Sequence, residues 1–250
     1  MSALADDLTL ALDAASFAGH LGFDPDDWQR AVLRSDARQA LLCCSRQSGK
    51  SSTVAALALH RAVFHPGSLI LMLSPSLRQS GEVFKKMTGL YGRMGGTIPS
   101  TSETRLSLEL ANGSRIVSLP GSEATVRGYS AVDLLLIDEA ARVDDNLYAS
   151  VRPMLAVSRG RLVCLSTPFG RRGWFSSAWH DGGASWERTL IPATECPRID
   201  PAWLADERAT IGDWWFRQEY LCHFLDSQSQ AFSTDDIHSA LDPDLESWEL

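Results

Sequence analysis

The chain has 250 residues, 44% of them hydrophobic and 22% charged, the balance of an ordinary globular protein long enough for one large domain or a domain with an appendage. Its 23 Lys and Arg against 31 Asp and Glu leave a net charge of -8, which excludes a general polyanion binder, so any nucleic-acid contact must come from a local patch. No apolar run approaches the roughly 20 residues that span a bilayer, the opening MSALADDLTLALDAASFAGH lacks the basic start of a secretory signal, and five cysteines without CxxC spacing argue against a disulfide framework or zinc site and suit a reducing compartment.

In chain order, FDPDDWQRAVL (residues 23–33) places Gln29 shortly before the first apolar run. A Gln amide can pair bidentately with the N6 and N7 edge of adenine, although a lone Gln is more often a surface residue. Residues 40–44 (ALLCC) predict a buried strand, and residues 50–64 a helix with Ala, Leu and Val on its inner face. Residues 68–74 predict a second buried strand closed by Pro75, and residues 77–90 a helix. Residues 106–110 and 115–119 flank Asn112-Gly113, a hairpin signal. Two more apolar runs, 134–137 and 162–165, are separated by a helical pattern from about 145 to 155. Cys43, Cys44 and Cys164 lie in these runs as small core residues. Continuous apolar strands alternating with helices predict an α/β fold, a mostly parallel sheet covered by helices on both faces.

Past about residue 192 the character changes. PATECPRIDP is loop-like, residues 202–224 predict a Trp-rich helical segment, and residues 226–250 are polar, acidic and poor in core residues. Trp203, Trp214 and Trp215 read as packing groups rather than base-stacking platforms.

Three motifs carry chemistry. CSRQSGKSST (residues 44–53) sits at a strand-to-helix junction and ends in Gly49, Lys50 and Ser51. These are the parts of a phosphate-binding loop: a turn with inward N–H groups, a Lys for the β- and γ-phosphates and a hydroxyl for Mg2+. The pattern GxxxxGK[ST] fails only at Cys44, where a small side chain replaces the first glycine; the bland alternative is a chance Gly-Lys-Ser at a helix start. LLLIDEAARV (residues 134–143) ends an apolar strand in Asp138 and Glu139, at the edge where open α/β sheets bind ligands. There Asp138 can hold the Mg2+ shell and Glu139 can orient or deprotonate a water, unless Asp-Glu simply starts a solvated helix. LSTPFG (residues 165–170) puts Ser166 and Thr167 before Pro168 at the same edge, where hydroxyls can sense a terminal phosphate; out of context it is only a turn.

Together, Gln29 in its Trp-Gln segment, the deviant loop SRQSGKS, the strand LLLIDEAA and STP resemble, in this order, the ATPase domain of the large terminase subunit, the DNA-packaging motor of tailed bacteriophages. The resemblance covers roughly residues 20–225, and an Arg-containing loop without its first glycine is a habit of that family. It implies a RecA-like (ASCE-type) P-loop NTPase sheet with an extra strand, residues 162–165, inserted between the loop strand and the carboxylate strand. It implies ATP and Mg2+ as cofactors, with Gln29, Ser45, Arg46, Gln47, Ser48, Gly49, Lys50, Ser51 and Ser52 binding ATP and Ser51 and Asp138 holding the metal. Glu139 would be the catalytic base, Arg46 would lie near the phosphates and change partners, and Ser166, Thr167 and Pro168 would couple hydrolysis to movement. Arg127, in TVRGYS, resembles an arginine finger inserted into a neighbouring subunit's site, with Arg142 and Arg152 as rivals.

The implied organisation is an ATPase core over residues 1–192, a helical lid or linker over 193–230 and a polar extension over 231–250. No nuclease domain is expected in this chain, which is either an excised domain or the partner of a nuclease on another polypeptide. Implied partners are double-stranded DNA, a homo-oligomeric ring on the portal, the portal protein and the small terminase subunit, with no membrane, in the host cytoplasm and transiently at the portal vertex. Two basic groups, Arg78, Lys85, Lys86 and Arg93, and Arg171 with Arg172, are candidates for phosphate contacts, or are solvated faces. A related helicase-type translocase and an ATP-binding assembly regulator without turnover stay open as alternatives.

Overall fold

The structure is a computed structural model and describes residues 3–121, 126, 128–226 and 240. Three helices, α1 (Ala3–Leu12), α2 (Ala14–His20) and α3 (Asp27–Arg34), precede strand β1 (Gln39–Cys44) and helix α4 (Lys50–Phe64). Next come β2 (Leu69–Ser74), α5 (Leu77–Gly92), β3 (Ser100–Glu103), β4 (Ser107–Leu110) and β5 (Arg115–Pro120). The second half holds β6 (Leu134–Asp138), α6 (Asp145–Val151), β7 (Arg161–Ser166), α7 (Gly173–Asp181), β8 (Glu187–Ile191), α8 (Pro201–Ile211) and α9 (Asp213–Glu219).

The strands form one sheet in the order β3-β4-β5-β2-β6-β7-β1-β8. From β5 to β8 every pairing is parallel, and β4 and β3 extend that sheet antiparallel. As expected, β7 lies between the loop strand β1 and the carboxylate strand β6. Successive side chains of a strand point to opposite faces, so each central strand supplies two cores. Ala40, Leu42, Ile70, Met72, Leu136 and Val163 face a layer containing α2, α3, α4 and α5. Leu41, Cys43, Leu71, Leu135, Ile137 and Cys164 face α6 and α7 together with Cys222 and Phe224. All five cysteines are free and buried, and burial pushes the Cys44 and Cys164 thiols well above their usual range. At the predicted hairpin, Gly113 takes φ 84°. Asn112 Nδ2 donates to the carbonyls of Ala62 and Val63, at 2.8 and 3.1 Å, and so caps the end of α4.

Several elements depart from the sequence reading. The edge strands β3 and β8 were not anticipated, because STSE is wholly exposed and only Ile191 of ERTLI is buried, so neither carries an apolar run. The helical pattern at 145–155 is α-helical only to Val151; Pro153 follows in a 3-10 turn, Arg152–Leu155, consistent with its missing N–H. Residues 202–224 are not one helix. Gly212, at φ 83°, separates α8 from α9, and the chain after Glu219 leaves the pair to bury Cys222 and Phe224 in the second core. Leu204, Phe216, Tyr220 and Ala193 form the small cluster of this helical pair. Trp203 and Trp215 are half exposed there, yet each packs edge-on to a ring, Trp203 to Tyr220 at 5.7 Å and Trp215 to Trp214 at 4.7 Å.

The N-terminal helices were also missed. They are short, and their ends are held by polar groups rather than by a long apolar stripe. Asp13 caps α2 by accepting from Ala15 N at 2.9 Å and Ser16 Oγ at 2.8 Å, and pairs with Arg34 of α3 at 2.7 Å. The Arg34 contact holds the Asp13 carboxyl well below the usual carboxylate range. A depressed folded value contributes stability above the unfolded value near 3.8 and loses it as pH falls further. Asp13→Ala is therefore expected to lower unfolding free energy by about 1 kcal/mol at neutral pH, with the gap from the parent chain narrowing below about pH 4. Urea titrations of both chains across pH check this; a gap that does not change on acidification would contradict it.

Candidate nucleotide site

The loop between β1 and α4 is built by local hydrogen bonds and two left-handed residues. Ser45 N donates to Ile191 O at 2.9 Å, Ser48 Oγ to Ser45 O at 3.0 Å and Thr53 Oγ1 to Gly49 O at 3.2 Å. Gln47 at φ 60° and Gly49 at φ 93° turn the chain into α4, whose N-terminus is the anion position of such loops; of its first-turn N–H groups, that of Ser52 already donates to Gly49 O at 3.0 Å. A Cβ on Gly49 would lie 2.7 Å from Gln29 Nε2 and 3.1 Å from Arg198 Nη2, so this glycine has a steric reason. Cys44 needs no such freedom: it is the last residue of β1, paired with Ile191 and fully buried.

Parallel pairing brings the second motif to the same edge. Asp138 ends β6 and accepts from Ser51 Oγ across 3.4 Å, while Lys50 Nζ lies 3.4 Å from Glu139 Oε1. Glu139 sits at φ 51°, ψ 42°, a left-handed conformation costing a non-glycine residue on the order of 1 kcal/mol. The segment beyond it is anchored: Trp174 donates through Nε1 to Val143 O at 2.9 Å and through its backbone N–H to Asp145 Oδ1 at 2.8 Å. Burial, and then the Glu139 charge, push the Asp138 carboxyl up to about 6. A cavity of about 430 Å³ is lined by residues of the loop, by Glu139 and Arg142, and by Gln79 and Lys86 of α5.

The third motif meets the other two. Ser166 ends β7 beside Cys43, fully buried with its Oγ unpartnered, and buried Thr167 accepts from Arg142 Nη1 at 3.2 Å. Arg142 also holds Glu139 Oε2 at 3.2 Å and lies 4.8 Å from the Phe169 ring centre. Of the three candidate fingers, Arg142 thus contacts Glu139 and Thr167 of its own chain. Arg152 bonds Gln39 Oε1 and Tyr148 OH, at the opposite end of β1, and Arg127 lies outside the described residues. Gln29 is fully buried against Gly49: its Oε1 accepts from Asp26 N at 2.8 Å in a helix-capping box, and its Nε2 has no partner.

Sequence reasoning missed three contributors. Arg198 bridges Asp26 Oδ1 at 2.6 Å and Ser48 O at 2.8 Å. Lys86, grouped by sequence with a basic cluster, lines the cavity, while Arg93 of that cluster donates to Leu21 O. Glu219, at the end of α9, pairs with Arg46 at 2.6 Å and with Arg142 at 3.5 Å. None carries a local signal, since each acts across a long sequence separation.

Hard oxygen donors suit Mg2+, and the Ser51 hydroxyl beside the desolvated Asp138 carboxylate fits that ion. In the absence of metal and nucleotide, the raised Asp138 value means that the folded chain holds a proton the unfolded chain has released between about pH 4 and 6, so Asp138 costs stability as pH rises through that window. Asp138→Asn is expected to raise the thermal midpoint at pH 7.5, by roughly 1–3 kcal/mol of unfolding free energy, and to lose that advantage near about pH 4. Scanning calorimetry at both pH values tests this; an equal or lower midpoint at pH 7.5 would refute it.

Comparison with known proteins identifies the family of the chain. Residues 41–239 match the family described as the N-terminal part of the T4likevirus-type terminase large subunit. The terminase large subunit of Thermus phage G20c is 27% identical over 249 residues, covering 85% of this chain and 51% of that protein. The chain therefore spans about half the length of the curated relatives it matches. The large terminase ATPase domain of Thermus phage P74-26 superposes with a TM-score of 0.72 at 25% identity, covering 84% of this chain and 97% of that domain. The large terminase of the thermophilic bacteriophage D6E, solved in complex with ADP, shares the fold with a TM-score of 0.64 at 11% identity, covering 88% of this chain and 53% of that one.

Proposed function

The chain belongs to the terminase large subunit family as its ATPase domain, and from that premise we propose that it hydrolyses ATP to drive double-stranded DNA into a procapsid. The observation that carries this reading is the convergence of Lys50, Ser51, Asp138 and Glu139, from two separate strand ends, on one cavity edge. The ADP complex of the D6E relative supports ATP as the nucleotide.

In this reading, Lys50 and the N–H groups of residues 47–51 bind the phosphates, those of Ser45, Arg46 and Ser52 being used within the chain. Ser51 and Asp138 hold Mg2+, which when bound neutralises charge on the phosphate oxygens. Glu139 orients a water and accepts its proton. Lys50 and Arg142 each hold one Glu139 oxygen, which keeps that carboxylate at the cavity edge. Ser166, Thr167 and Pro168 lie one strand over, where loss of a terminal phosphate alters the Arg142–Thr167 contact. The helical pair α8–α9, within the lid or linker expected over residues 193–230, serves as the lid. Arg127 is the proposed finger for a neighbouring subunit in a ring on the portal, with the small terminase subunit as a further partner.

Glu139→Gln is expected to lower kcat by about 10²–10⁴ and to leave ATP-γ-S affinity within a few-fold of the parent chain. Steady-state hydrolysis and calorimetric titration measure the two. Equal hydrolysis by both chains would remove the motor chemistry and leave a nucleotide-binding assembly protein.

For the DNA, Arg78 and Lys85 of α5 line a separate cleft of about 620 Å³ with Arg105 of the β3–β4 turn. Arg172 instead lies 4.4 Å from the Phe169 ring centre, and Arg171 donates to Phe224 O. Arg78→Ala/Lys85→Ala, which spares the cavity-lining Lys86, is expected to weaken duplex binding at low salt and to flatten its salt dependence by about one to two phosphate contacts. Anisotropy titrations over a salt series read this; unchanged affinity and slope would assign the grip to another surface.

A further inference from the structure

Glu219 is the one carboxylate of the helical pair α8–α9 that reaches the nucleotide loop. Its Oε2 lies 2.6 Å from Arg46 Nε and its Oε1 3.5 Å from Arg142 Nη2, and its backbone carbonyl accepts from Arg46 N at 3.1 Å. Its side chain is only 9% exposed. A carboxylate so far removed from water is stable only while paired, and stripping its partners costs several kcal/mol in general. Gln218 ties the same turn to the third motif: its Nε2 donates to Glu219 Oε1 at 3.2 Å, and its Oε1 accepts from Gly170 N at 3.1 Å.

The two arginines belong to the cavity. Arg46 and Arg142 both line it, whereas Glu219 approaches them from α9. Guanidinium groups bind carboxylate and phosphate oxygens with the same fork of donors. A triphosphate entering the cavity therefore meets two cations already neutralised by a carboxylate of the chain. A diphosphate, one phosphoryl group shorter, is held by the loop N–H groups and Lys50 and makes a smaller claim on them.

We propose that Arg46 and Arg142 form the terminal-phosphate subsite and that Glu219 is its internal counter-ion, displaced when a nucleoside triphosphate binds. Displacement leaves Glu219 buried without its cations, so α9 shifts to return the carboxylate to solvent. The same event takes Arg142 away from Glu139 and Thr167, which releases the catalytic carboxylate to the water and alters the third motif together with the helical pair. This inference rests on the ATPase reading of the site and adds to it the residues that tell triphosphate from diphosphate.

Glu219→Gln keeps the size of the side chain and one acceptor oxygen, and removes the competing charge. In calorimetric titrations with Mg2+, the variant is expected to bind ATP-γ-S about tenfold more tightly than the parent chain, the equivalent of one charge-assisted contact no longer opposed. ADP affinity is expected to change less than about twofold, the size of effect left when no terminal phosphate competes. Arg142→Ala is expected to erase most of the preference for ATP-γ-S over ADP. Hydrogen exchange on the parent chain supplies the second readout: amides of residues 213–221 exchange faster with ATP-γ-S than with ADP, and the difference disappears in Glu219→Gln. A merely structural Glu219 would shift both nucleotides together, and that result, or an unchanged ATP-γ-S affinity, overturns the inference while leaving the ATPase reading intact. Failure of the parent chain to bind either nucleotide would overturn both.

Discussion

The 3.4 Å contact between Lys50 and Glu139 joins the two halves of the site, and much of the molecule serves to bring those two residues together. They are 89 positions apart in sequence, on the first turn after β1 and the first residue after β6. Only a parallel arrangement of β1, β7 and β6 sets both strand ends at one edge, and only a sheet covered on both faces keeps that edge dry enough for the charges to matter. Burial, with the neighbouring Glu139 charge, lifts the Asp138 carboxyl to about 6 at that edge. Glu139 pays for its place with a left-handed backbone, held by the anchored turn that follows it.

Much of the site was legible because its parts are consecutive. Gly49, Lys50 and Ser51 form one turn, Asp138 and Glu139 one strand end, and Ser166 and Thr167 another, so short runs of sequence carried both the chemistry and the strand that presents it. The central strands were legible for the same reason: full burial on two faces demands continuous apolar residues. Even the missing glycine has a local answer, since Cys44 is still strand and the turn begins after it.

What escaped was everything decided between distant segments. Edge strands β3 and β8 lack an apolar run because they are only partly covered. Arg198 and Glu219 are single charged residues whose charged partners lie 77 to 173 positions away, and nothing in their neighbours distinguishes them from solvated charges. Trp203, Trp214 and Trp215 drew attention as large apolar groups, yet the helical pair packs through Leu204, Phe216 and Tyr220. In this chain, the groups proposed for catalysis are local in sequence and several of the charged groups that contact them are not.

The central claim is that this edge hydrolyses ATP and that a neighbouring chain completes it. Its most direct test is the steady-state rate of Mg2+-dependent ATP hydrolysis per chain, followed over a wide range of chain concentration. A rate per chain that rises with concentration and then levels is the predicted result, because assembly brings the second subunit to the site. A rate that stays at the uncatalysed background at every concentration, while ATP still binds, would contradict the account.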